Sequence, residues 1–148
     1  RSQRRQRERR ALHRLPRRLR LAARRLPRHL HRPVASRFEQ LLEGADELVA
    51  KLRGVIARRA LPWCVVHVGA RAEIVFAPAP PKDAAAMRSA LAQSELNQAL
   101  HLYLINRGVL IAPFHMMMLV CPSTTTQQID RLVAAVDSFA EEYKEAAA

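Results

Sequence analysis

Few residues in this 148-residue sequence could do chemistry: two cysteines, six histidines, three lysines and 13 carboxylates. Cys64 and Cys121 form no CxxC pair and are too few for a disulfide framework. Both sit in apolar runs, where a thiol packs as a small hydrophobe. A nucleophilic thiol needs an adjacent base, and the spacing specifies none. His67 falls inside a strand-like run and His101 between Leu100 and Leu102 in a helical one, so each reads as a packed or half-exposed histidine. Met116–Met118 enter an apolar run and read as core filler. His115 stands apart, because it follows Pro113 and Phe114 on a connection, where a scaffold can aim a polar group into a cleft. No P-loop, GxGxxG, HExxH, GxSxG or spaced Cys/His cluster occurs. These residues make no self-contained active site.

The charge is divided unevenly. Residues 1–33 hold 14 arginines against one acid, Glu8, whereas residues 34–148 set eight arginines and three lysines against twelve acids. The basic pI therefore belongs to an arm, and the rest of the chain is nearly neutral. Pro16, Pro27 and Pro33 interrupt a leucine spacing that would otherwise suit a basic helix. Repulsion among the arginines opposes compaction, so residues 1–33 are expected to be disordered or to form short, broken turns. Three readings of the arm stay open. It neutralises nucleic-acid phosphates in a salt-dependent way, or it is a transit peptide, although it has only one serine. In the third, it is translated out of register, since Arg, Leu, Pro, His and Gln make up 28 of its 33 residues and all have codons that begin with C. No 18-residue apolar run exists for a membrane span, and no apolar signal region opens the chain. The expected location is cytoplasmic, with reduced thiols.

The elements that must position any site lie in residues 34–148, taken as one domain. From Phe38, apolar residues recur at Leu41, Leu42, Ala45, Leu48, Val49, Leu52, Val55 and Ile56, one stripe of a long helix that Pro62 ends. WCVVHV (63–68) and RAEIVFA (71–77), joined at Gly69, predict a hairpin; PAPPK (78–82) predicts a loop. A second helix opens at Ser94 and stops at Gly108. VLIA (109–112) and MLVC (118–121) read as short strands. Thr125 and Gln128 fit a capping box ahead of the stripe Ile129, Leu132, Val133, Val136, Ala140 and Tyr143. The resulting fold class is α+β: a small, mostly antiparallel sheet with helices on one face, preceded by a long helix and the arm.

Four stretches carry a family resemblance: KLRGVIARRALP (51–62), VHVGARAEIVFAP (66–78), ALHLYLINRGVLIAPFH (99–115) and TTTQQIDRLVAAVDSF (124–139). From about Phe38 the chain resembles the C-terminal small domain of class III, fold-type I, pyridoxal phosphate (PLP) dependent aminotransferases, in the branch of glutamate-1-semialdehyde aminomutases and β-amino-acid aminotransferases. The resemblance implies a parent enzyme that moves an amino group between an amino acid and a 2-oxo acid, as a homodimer. Phe114, His115 and Met116 would border the substrate entrance, and Arg71 or Arg107 would meet a substrate carboxylate unless each is simply a surface arginine. Two departures matter. The aminomutases carry a Glu after a Pro-Ser-Gln-Phe turn, near where this chain has Met116 or Met117, which favours an amino-acid transaminase. In addition, Lys51, Lys82 and Lys144 are the only lysines, and none reads as a desolvated amine aimed at PLP. The resemblance therefore places PLP in a large domain of the parent, with no catalytic or cofactor-binding residue here, and this chain alone is expected to be inactive. The rival reading is a small protein that binds nucleic acid through its basic arm; otherwise residues 1–33 would bind nucleic acid only non-specifically.

Overall fold

The computed structural model describes residues 28–92, 94–112 and 116–146. Residues 1–27, and with them most of the arm, lie outside the described residues, as do Phe114 and His115. Among the described residues are four helices, α1 (Arg28–Arg58), α2 (Ala84–Leu91), α3 (Ser94–Asn106) and α4 (Thr126–Ala146), and three strands, β1 (Cys64–Val68), β2 (Arg71–Val75) and β3 (Met117–Leu119). No described helix is long and apolar enough to cross a membrane.

The sheet is antiparallel with β2 in the middle. Strand alternation puts Val65, Ala72, Ile74 and Met118 on one face, and all four are buried. Helix α1 packs on β1 and β2, and α4 packs on α1 and α3. The expected α1 stripe is the one that is used: Ala45, Leu48, Val49, Leu52 and Val55 are buried, and Leu41 and Ile56 pack at the margin. Trp63 sits edge-on to Phe76 at 4.8 Å and 5.6 Å from Tyr143, and Phe139 meets Tyr103 at 5.2 Å. These rings join the hairpin to α3 and α4. Ion pairs lace the α1–α4 seam: Lys51 with Glu47 (2.7 Å) and Asp130, Arg58 and Arg59 with Asp137 (3.0 and 2.8 Å), and Arg59 with Glu141 (2.9 Å).

Two helix ends show how local chemistry sets the boundaries. At the end of α3, Gly108 has φ 71°, Val109 N–H donates to the Leu104 carbonyl (2.9 Å) and Gly108 N–H to that of Ile105 (2.8 Å). This is a Schellman cap at the residue expected to stop the helix. At the start of α4 the capping box forms in both directions: Thr125 N–H donates to Gln128 Oε1 (2.9 Å), and Gln128 N–H donates to Thr125 Oγ1 (3.3 Å).

The structure departs from the sequence expectations at four places. Helix α1 begins at Arg28 and runs through Pro33, so residues 28–33 belong to it and not to an arm of broken turns; the missing Pro33 N–H removes one intrahelical bond. Residues 109–112 form no strand. Val109 N–H is spent on the α3 cap, and pairing is limited to one bridge, Ala112 with Met117. Residues 84–91 form α2, which lacks an apolar stripe because only Ala90 is buried. Its causes are alanine propensity and an Asp83 N-cap that accepts from Ala86 N–H at 2.8 Å. Finally, β3 ends at Leu119, which leaves Cys121 outside the sheet and exposed.

Candidate functional site

The candidate residues are not drawn into one constellation among the described residues. Met116 follows the 113–115 connection with φ 45°, and its side chain is wholly buried in the core (0% exposed). Met118 is also buried, as core filler should be.

Both candidate arginines have internal partners. The Arg107 guanidinium lies 3.3 Å from the centre of the Tyr103 ring and 3.5 Å from Glu142, whose carboxylate also accepts from Tyr103 Oη at 2.5 Å. Arg71 is half-exposed and paired with Glu73, which is the buried charged residue of the sheet at 3% exposed. A buried carboxylate needs such a partner, and the pairing fixes where the Arg71 fork can reach. His67 has Nε2 2.7 Å from the Gly69 carbonyl, so it closes its own hairpin. His101 Nδ1 is buried on α3 with no hydrogen-bond partner among the described residues.

Beside the bridge at Ala112 lies a groove of about 480 Å³ between residues 108–112, β3 and the first turns of α4. Leu110, Ile111 and Leu119 line it with Cys121, Ser123 and Thr124. Cys121 Sγ is 3.1 Å from Ser123 Oγ and 3.3 Å from Thr124 Oγ1. The Ser123 hydroxyl, then that of Thr124, stabilise the thiolate and pull this thiol down to about 7. Cys64 is half-buried, and desolvation pushes its thiol up. A reading of MLVC as a strand hides the exposure of Cys121; the signal against that reading is the Pro-Ser-Thr-Thr run after it. No group of three potential metal ligands occurs among the described residues.

PLP is held by an amine able to lose its proton in a desolvated setting. Lys51 donates to Asp130 and Glu47, and these bonds hold its ammonium above the ordinary lysine range. Lys144 donates to the Arg59 carbonyl at 2.9 Å. Lys82 is exposed in the loop before α2. None of the three fits.

Comparison with solved structures then decides the family likeness. The chain matches glutamate-1-semialdehyde aminomutase from Pseudomonas aeruginosa at 33% identity and TM-score 0.66, over 68% of this chain and 22% of that one. A variant of that enzyme in complex with PMP matches equally. The chain resembles the class III PLP-dependent aminotransferases. The fold of this aminotransferase-like chain also matches a β-phenylalanine aminotransferase from Variovorax paradoxus, at 24% identity and TM-score 0.64, over 71% of this chain and 24% of that one. It thus spans less than a quarter of either solved enzyme. No protein-family model matches it, and no curated protein does.

Proposed function

We propose that residues 34–148 are the C-terminal small domain of a class III PLP-dependent aminotransferase whose PLP-binding part lies in other sequence. The observation that carries this reading is the match to about a fifth of the aminomutase at 33% identity. In the intact parent, a homodimer, an amino group passes between an amino acid and a 2-oxo acid. This domain closes one side of the cleft, with the stretch of Phe114, His115 and Met116 at the substrate entrance. Arg71 and Arg107 are the cations available to a substrate carboxylate. For either to bind one, its guanidinium has to share donors with Glu73 or Glu142.

The lysine geometry supports an inactive chain. Lys51, Lys82 and Lys144 are ion-paired, exposed or bonded to a carbonyl, so no step of amino transfer is assigned to this chain's own residues. The test is to incubate the purified chain with PLP, an amino acid and a 2-oxo acid and to follow formation of the second amino acid. No turnover is expected; turnover that survives replacement of all three lysines would sink the lysine argument, and turnover that needs one of them would identify it as the missing group. Polyanion binding through the arm should be weak, independent of base sequence and steeply reduced by salt.

A further inference from the structure

Arg58, Arg59, Arg71 and Arg107 each face a carboxylate. Arg131 of α4 does not. Its Nη2 donates to the Arg107 carbonyl at 2.8 Å, and no carboxylate lies within ion-pair reach of it among the described residues. A Cβ at Gly108 would lie 2.7 Å from the same nitrogen, so the guanidinium rests against the bare backbone of the α3 cap. One bond and one contact thus fix where this charge sits, while the other N–H groups of its planar fork have no acceptor among the described residues.

This cation lines the groove beside Ala112, whose volume of about 480 Å³ is that of a small-molecule site. Among the other lining residues, Ile111, Val120 and Ile129 are buried, whereas Leu110 and Leu119 are 84% and 66% exposed. The remaining polar side chains are hydroxyls, an amide and the Cys121 thiol; no Asp, Glu, Lys or His lines the groove. It is therefore an aliphatic surface with one fixed positive charge and no carboxylate.

An anion with an apolar body satisfies both features at once. A carboxylate matches the guanidinium fork through two parallel N–H···O bonds, and an aliphatic chain gains by covering the exposed leucines. An amino group on the same molecule would enter with no carboxylate to receive it, and an unpaired ammonium is costly to bury. We infer that the groove binds a short aliphatic monocarboxylate without an amino group, with its carboxylate on Arg131 and its chain against Leu110, Ile111 and Leu119. Binding needs only residues of this chain, so it does not depend on the parent enzyme.

Isocaproate, leucine and isoamylamine share one branched chain and test this. Isocaproate carries a carboxylate, isoamylamine an ammonium and leucine both. Each is titrated into the full, isotope-labelled chain at about pH 6, where a carboxylate is ionised and Cys121 remains a thiol. Isocaproate should shift the amide resonances of Leu110, Ile111 and Leu119 saturably, and the other two should act at least about tenfold more weakly. Arg131→Gln should weaken isocaproate binding at least about tenfold. That change also removes the bond to the Arg107 carbonyl, so Leu119→Glu serves as a second variant. It keeps Arg131, sits at an exposed position and puts a carboxylate into the groove, and it should abolish binding. Shifts confined to residues 1–33 would show that the basic arm collects the acid, and would overturn the proposal. So would the absence of any shift at the groove, equal affinity for leucine, or an isocaproate affinity that both variants leave unchanged.

Discussion

Ala60 is an exposed alanine with φ 49° at the end of α1. It occupies the same place in a helix cap that Gly108 occupies after α3. Leu61 N–H donates to the Ile56 carbonyl at 3.0 Å and Ala60 N–H to that of Ala57 at 3.1 Å, again the Schellman pattern. A left-handed backbone costs a residue with a Cβ about 1–2 kcal/mol. Glycine returns about 0.4–1 kcal/mol of that through its freer unfolded chain. Ala60→Gly should therefore stabilise the domain by about 0.5–1 kcal/mol. Gly108→Ala runs the other way and adds a collision, because its new Cβ would lie 2.7 Å from Arg131 Nη2. That guanidinium donates to the Arg107 carbonyl at 2.8 Å, and displacing it costs about 1 kcal/mol more. The total for Gly108→Ala is about 1.5–2 kcal/mol. Thermal unfolding followed by circular dichroism should show a rise of about 3–6 °C for Ala60→Gly and a larger fall for Gly108→Ala. A fall for Ala60→Gly would show that the cap geometry is misread.

Other outcomes rest on the same contacts. Alkylation of Cys121 should titrate with a midpoint near pH 7, and Ser123→Ala should move it up towards the free-thiol value of about 8.5; an unmoved midpoint would remove the hydroxyls as the cause. Asp137 is held below its ordinary range, chiefly by its hydrogen bond from Arg59. A depressed carboxyl stabilises the fold above its unfolded pKa of about 4 and loses that contribution as the pH falls through its folded value. Asp137→Asn should thus be less stable at neutral pH yet lose less stability on acidification, as denaturant titrations at several pH values would show. Leu104→Ala, at a fully buried position, should cost about 2–5 kcal/mol by the same titration at pH 7. Thr125→Ala should cost about 0.5–2 kcal/mol through loss of the capping box, and Thr125→Ser should restore most of it.

How much of the fold and site is legible in the sequence depends on how local each cause is. The α1 and α4 stripes come from a 3.6-residue period, and the Gly108 and Thr125 caps from residue chemistry within one turn; each can be read directly. Residues 109–112 look like a strand by composition, but the α3 cap has already claimed Val109, a conflict visible only once that helix end is placed. Helix α2 carries almost no buried face, so no period announces it; Asp83 is the available signal. The site is less legible than the fold. His67 and Arg71 are each engaged by a residue two places along the chain, Gly69 and Glu73, and Arg107 by Tyr103 one turn back and by the distant Glu142, pairings that composition alone does not announce. Met116 reads as core filler from its apolar run and as an entrance residue only through the resemblance; it is buried, with φ 45°.

The α1–α4 seam has a consequence for the order in which the domain can be made. Lys51 and Asp130 are 79 residues apart in sequence, and Arg59 and Glu141 are 82 apart. Phe139 and Tyr143, which close the ring cluster around Trp63, also belong to α4. A ribosome adds about 5–20 residues per second, and domains fold as units once their parts are present. The hairpin and α1 therefore emerge with their apolar faces uncovered and wait for α4, which follows them in the chain. A chain stopped before Asp137 would lack both the salt-bridge partners of Arg58 and Arg59 and the aromatic lid, and would leave synthesis as an open half-domain for the cell's chaperones and proteases to sort.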